Sequence, residues 1–226
     1  MDEHHLLVHR TARYATLGPR GPAAREVWFL CHGYGQRAVS FLEEFSGLDD
    51  GARLLVAPEA LSRFYLESGS TGRHSEQVGA SWMTREDRDN EIDDYVRYLE
   101  ALRGHILAPI GRPDIPVRVL GFSQGVATAA RWLTRTLWRP GELILWGGLV
   151  PGELINGDQE RSLPVIPVVL VAGERDEAVD QVRLKAQALQ LRERGQRCQE
   201  VTFPGGHRLD SATLQRLASR PPGGHT

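Results

Sequence analysis

The sequence is poor in cysteine: Cys31 and Cys198 are the only two in 226 residues. They lack the paired spacing of a zinc or redox motif, and two thiols exclude a disulfide scaffold. There is no excess charge of one sign either, with 27 Lys+Arg against 29 Asp+Glu and a formal net charge of -2. Without a net positive field, capture of a polyanion by bulk charge is excluded, and no nucleic-acid partner is expected. Lysine is nearly missing, since Lys185 is the only one and arginine carries the rest. Long hydrophobic runs are also absent: no stretch reaches the roughly 18 uninterrupted apolar residues of a membrane-spanning helix. The start, Met1-Asp2-Glu3-His4-His5, has neither the basic region nor the apolar core of a secretory signal. These absences point to a cytoplasmic chain with reduced thiols and no membrane span. What is there is ordinary: 41% hydrophobic and 25% charged residues, in a length that buries enough apolar surface to fold without a covalent staple.

Short runs rich in β-branched residues predict strands at 27–31, 53–57, 117–120, 143–146, 168–172 and 198–203. Their near-continuous apolar character fits a sheet covered on both faces. Between them, Ile92, Tyr95, Val96, Leu99, Leu102 and Ile106 recur at helical spacing, as do Val179, Val182, Leu184, Ala188 and Leu191. The βαβα alternation selects an α/β fold with a mostly parallel central sheet and helices on both faces. Residues 5–16 alternate loosely and read as an antiparallel edge strand. Residues 66–82 read as a long Gly/Ser-rich connection, of a length that is usually functional or mobile. A single domain is expected over residues 1–220, followed by a flexible tail at 221–226.

The chemistry concentrates in Gly121-Phe122-Ser123-Gln124-Gly125, a GxSxG that follows a predicted strand and precedes the helix-forming run 126–133. Strand, tight glycine turn and helix form the context of a nucleophile elbow, in which the turn lifts the serine Oγ off the sheet edge. A serine needs a base and an orienting acid, which follow it here in the order Ser, Asp/Glu, His. Downstream of Ser123 stand only His207 and His225; His225 lies in the tail, so His207 is the candidate base. The strand 168–172 runs into Gly173-Glu174-Arg175-Asp176-Glu177. Asp176 is best placed as the acid, with Glu174, Glu177 and Asp180 competing. A tetrahedral intermediate also needs backbone N–H donors. Gln124, next after the serine, supplies one, and the loop Cys31-His32-Gly33-Tyr34-Gly35-Gln36 stands where the other belongs.

The segments CHGYG, APEALSRFY, GASWMTREDR, GFSQG, GERD and GGH, in this order from about residue 27 to 207, resemble the α/β-hydrolase fold. More narrowly they resemble the bacterial branch of the phospholipase/carboxylesterase family, related to acyl-protein thioesterases. The resemblance implies a compact serine esterase without a separate lid domain. Its nucleophile would be Ser123, its acid Asp176 and its base His207, with an oxyanion hole from the backbone N–H groups of Tyr34 and Gln124. It implies short-to-medium acyl ester substrates, no organic or metal cofactor, and is compatible with a homodimer. Thioester and lysophospholipid substrates fit the same triad. Departures at Cys31, Tyr34, Gln36 and Val126 bear on the acyl pocket more than on the chemistry.

Other features compete with this reading. Gly33-Tyr34-Gly35-Gln36-Arg37-Ala38 also fits a dinucleotide-binding GxGxxA, with Glu59 roughly where a ribose-binding acid would sit. A NAD-dependent oxidoreductase is therefore the rival, and a hydrolase-like binding module without turnover is a third class. His5 and His9 have metal-like spacing but read as surface residues. Asp87, Asp89, Glu91, Asp93 and Asp94 lack the glycine of a calcium loop. Thr84-Arg85-Glu86-Asp87 reads instead as a capping-box start of the helix carrying Ile92. Trp82 and Met83 end the long connection. With Phe122 they are the expected substrate-pocket walls, although Trp82 and Met83 read equally well as core.

Overall fold

The structure, a computed structural model, describes residues 1–67, 74–157 and 162–223. Each predicted apolar run is a strand of one seven-stranded sheet. In chain order these are β2 (Glu26–Cys31), β3 (Arg53–Pro58), β6 (Val117–Phe122), β7 (Glu142–Trp146), β8 (Pro167–Gly173) and β9 (Arg197–Phe203), all parallel. The spatial order is β1-β3-β2-β6-β7-β8-β9, where β1 (Tyr14–Leu17) pairs antiparallel with β3 at the edge. The edge strand is thus shorter than expected. Residues 5–13 lie outside it, and the exposed His5 meets Asp87 at 3.2 Å instead of sharing a site with His9.

Strand alternation divides the core in two, because successive side chains point to opposite faces. Phe29, Val119, Leu145 and Leu170 pack under α2 (Arg88–Leu107), α3 (Gln124–Thr134) and α5 (Gln181–Glu193). Leu30, Leu120, Ile144 and Val169 pack under α1 (Ala38–Glu43) and α6 (Ser211–Ala218). A short helix, α4 (Gly152–Asn156), lies beside α3.

Two further expectations need correction. The segment 66–82, read as a long loop, instead takes part in an antiparallel pair, β4 (Ser62–Glu67) and β5 (His74–Ser81), with Phe64 opposite Gly79; residues 68–73 lie outside the described residues. Its Ser, Gly, His and Gln content hid it, since a two-stranded ribbon apart from the main sheet needs no continuous apolar run. Thr84 does not cap α2. That helix begins at Arg88, and Thr84 donates both its N–H and its hydroxyl to Glu91 (2.5 and 3.1 Å). Of the expected tail, Gly223 donates its N–H to Glu142 (3.2 Å), and residues 224–226 lie outside the described residues.

Candidate active site

Parallel strands deliver their C-terminal ends to one edge of the sheet, and the loops leaving β2, β6, β8 and β9 meet there. Ser123 stands between β6 and α3 with φ 53° and ψ -115°, a backbone conformation that L-residues with a side chain rarely adopt. The glycines around it make that turn possible. A Cβ on Gly125 would overlap the Cys31 carbonyl, and one on Gly121 would overlap the Gly125 carbonyl. The Ser123 N–H is fixed by the Trp146 carbonyl at 2.8 Å.

His207 follows β9, and its Nε2 lies 2.9 Å from the Ser123 Oγ. Its Nδ1 lies 3.0 and 3.1 Å from the two Asp176 carboxylate oxygens. A carboxylate accepts only, so these partners assign the proton to Nδ1 and leave Nε2 to accept from the serine hydroxyl. The Phe122 ring lies 5.1 Å from the imidazole, beneath it. Asp176 has a side chain 1% exposed, and its Oδ1 also accepts from the N–H groups of Ala178 and Val179 at 2.8 and 3.1 Å. The loops carrying Asp176 and His207 are laced together: Glu174 N–H donates to Phe203 O, and Arg175 N–H to Gly205 O. Of the competing carboxylates, Glu174 and Glu177 are exposed, and Asp180 caps α5 through the Arg183 N–H.

Near Ser123, the loop after β2 brings in Gly33, whose missing Cβ would lie 3.3 Å from the Ser123 Cβ. Gln36 holds the loop by accepting the Gly33 N–H at 2.8 Å. Among the described residues the Tyr34 N–H has no acceptor, and its exposed ring stacks on Phe64 at 5.0 Å. The Gln124 N–H heads α3, where helix geometry leaves donors unpaired. One of these N–H groups directly follows the serine in the chain, and the other directly follows Gly33, which packs on it.

His32 is fully buried. Its Nδ1 donates to Gly33 O at 2.7 Å, its Nε2 accepts from Ala60 N–H at 3.0 Å, and burial pushes its pKa down, keeping it neutral. It is scaffolding for the loop. Cys31 is no rival nucleophile, because burial raises its thiol pKa to about 12. Glu59 is occupied as well: it accepts from Arg13 and Arg63 and from the Ala38 N–H, which takes it out of any ribose-binding role.

A model of the phospholipase/carboxylesterase family matches residues 14–220. The chain belongs to that family. A comparison with curated proteins finds no match. Among solved structures, the phospholipase/carboxylesterase-family chain is similar to esterase PE8, at 20% identity and TM-score 0.70, covering 93% of this chain and 97% of that one. It is also similar to Zea mays acyl-protein thioesterase 2, at 19% identity and TM-score 0.67 over 92% and 97% of the two chains. The Bacillus cereus carboxylesterase aligns over 92% of each chain at 15% identity, with a TM-score of 0.67. At such identities these likenesses show the fold: α/β-hydrolase.

The pocket residues fare differently. Trp82 is 2% exposed; its indole N–H donates to His32 O at 2.8 Å, and its ring packs 5.1 Å from the His32 ring and 6.0 Å from Tyr95. That is a core position behind the site, a correction to its expected place in a pocket wall, and it follows from the hairpin, whose last residues turn inward. Met83 is half-buried, with its sulfur 3.3 Å from Arg131, and Phe122 is spent on His207 and Phe41. His32, Phe64 and Ser81 stand in segments that carry the family resemblance, but their roles as supports of the site emerge only from the fold. His32 adjoins the Gly33 already marked, but nothing local distinguishes a serine or phenylalanine in an unrecognised hairpin. Among the described residues no cluster of His, Cys, Asp or Glu could hold a metal ion, and no helix is long and apolar enough to cross a membrane.

Proposed function

We propose that the protein is a serine carboxylesterase that hydrolyses short-to-medium-chain acyl esters through an acyl-Ser123 intermediate. The observation that carries this is the continuous hydrogen-bonded path from Ser123 Oγ through His207 to a buried Asp176, assembled from three separate loops. In the first half-reaction Ser123 Oγ attacks the ester carbonyl while His207 Nε2 takes its proton. Asp176 holds the imidazole tautomer and stabilises the imidazolium without itself taking the proton. The N–H groups of Tyr34 and Gln124 stabilise the oxyanion, and the α3 N-terminus adds its positive dipole end. Collapse of the tetrahedral intermediate expels the alcohol, which receives the proton from His207. Water, activated by the same imidazole, then releases the acid and regenerates Ser123. The acyl group is placed against Met83 and the Tyr34–Phe64 pair.

The test is hydrolysis of a p-nitrophenyl ester chain-length series, with Ser123→Ala and His207→Ala as controls. Each substitution should lower kcat by about 10⁴-fold or more with the fold intact, because members of a triad act as a unit. A fluorophosphonate should label the wild type at Ser123. A folded Ser123→Ala with near-wild-type turnover, or label on another residue, would refute the assignment.

A further inference from the structure

The two oxyanion donors assigned above are far apart in sequence, yet both segments are tied to the same strand, β5, and the residues that follow it. On one side, Gly35 N–H donates to Ala80 O at 2.9 Å and Ala80 N–H donates to Gln36 O at 3.2 Å. Gly79 permits this approach, since a Cβ there would fall 2.6 Å from the Gly35 carbonyl oxygen. The Tyr34 ring stacks on Phe64, the residue paired with Gly79 across the hairpin. On the other side, the Gln124 carboxamide spends all its main hydrogen-bonding directions on the end of β5. Its Oε1 accepts from Trp82 N–H at 3.1 Å, and its Nε2 donates to Ser81 Oγ at 3.0 Å and to Met83 O at 2.9 Å. The Ser81 hydroxyl closes the ring by donating to Met83 O at 2.9 Å.

We propose that the Gln124 side chain is a positioning residue that sets the spacing between its own backbone N–H and that of Tyr34, using the hairpin as a common reference. The inference rests on the ester-hydrolase reading. The elbow and the loop after β2 also meet directly, through the β2–β6 pairing and the close approaches of Gly125 to Cys31 and of Gly33 to Ser123, but those contacts stop at Gly33, short of Tyr34. The hairpin reaches both Gln124 and Tyr34. The geometry matters because oxyanion donors act only when they lie close to the position where charge develops, about 2.7–3.1 Å away. A misplacement of about 1 Å costs on the order of 10²-fold in rate. The side chain needs no contact with substrate; it transmits the hairpin's position to the donor.

Gln124→Met keeps the backbone N–H, the helix and the side-chain length and removes the three side-chain hydrogen bonds. It should lower kcat about 10- to 100-fold, short of the 10²- to 10³-fold typical of losing a donor outright, with KM within about threefold. Affinity for a trifluoromethyl ketone that adds reversibly to Ser123 should fall by the same factor as kcat/KM, as it does for transition-state mimics. A purely structural role would instead lower the thermal midpoint and leave both quantities unchanged in the folded protein. Ser81→Ala, which deletes one partner and leaves Gln124 itself intact, should shift the same two quantities in the same direction by a smaller factor. Folded Gln124→Met with wild-type kcat and wild-type ketone affinity overturns the proposal. If that variant does not fold, Ser81→Ala with wild-type values overturns it. Wild-type protein that neither turns over an ester nor forms the ketone adduct overturns the hydrolase reading first, so the two failures are distinct.

Discussion

Asp176 is held in place by two backbone N–H groups and aimed at His207 through both oxygens, which makes it a fixed acceptor. Asp176→Asn retains the shape but offers an amide that favours the wrong imidazole tautomer. Activity should fall by about 10⁴-fold with the fold preserved. Glu174, two residues earlier, is exposed and contributes its N–H to Phe203 O, a role any residue fills. Glu174→Gln should therefore leave turnover largely unchanged. Steady-state kinetics on the pair checks this, and exchanged outcomes would move the acid to Glu174. The sequence put four carboxylates within reach of the site, Glu174, Asp176, Glu177 and Asp180. Only the side-chain direction after β8 separates the buried one from the helix cap and the two exposed groups.

At the level of elements, the hairpin β4–β5 packs against the loop that follows β2. Because its end turns Trp82 into the core, between His32 and Tyr95, Trp82→Ala should cost about 3–5 kcal/mol of stability. The acyl chain-length profile of the folded protein should keep its optimum. Denaturant unfolding and an ester series on the same variant measure both, and a shifted optimum with little loss of stability would return Trp82 to the pocket wall. The central strands were legible because strands buried on both faces read as continuous apolar runs. The hairpin was not: its residues alternate among Ser, Arg, Phe, Tyr and Gly, and it is tied to the distant loop after β2 through Gly35 and Gln36. Thr84 failed as a capping signal for a related reason, since Glu91, one turn into α2, drew it into a tertiary bond.

Across the whole molecule, buried polar groups tie distant segments together. Arg118, inside β6, lies 3.3 Å from Glu26 and 3.4 Å from Glu142, stacks over Trp28 at 4.9 Å, and donates to the carbonyls of Leu217 and Arg220, which fastens the end of α6 beneath the sheet. His32 makes global stability depend on pH. In the unfolded chain it binds a proton near its ordinary value of 6.5, whereas burial holds the folded imidazole below that value, against the weaker pulls of its bond to the Gly33 carbonyl and of Glu59. The unfolded state then binds more protons as pH falls below about 6.5. The stability that His32 confers is complete above that value and is lost as pH falls through the window beneath it. Thermal midpoints between about pH 5 and 8 should show this decline, and His32→Gln should flatten it. An unchanged slope in that variant would exclude His32 as the cause.

The amino-acid sequence by itself determined the six parallel strands, the strand-to-helix turn at Ser123 and the chain order of Ser123, Asp176 and His207. These are local patterns: apolar runs, glycines at a turn, and chain order, all readable from neighbouring residues. Tertiary structure decided among the four carboxylates in favour of Asp176 facing His207, and alone decided that Ser62–Glu67 pairs with His74–Ser81, that Trp82 lies inside, and that Gln124 reaches across to Ser81, Trp82 and Met83. Each of these depends on where a segment lands beside another far away in the chain. That placement follows from sheet register and core packing, which couple residues that no local periodicity connects.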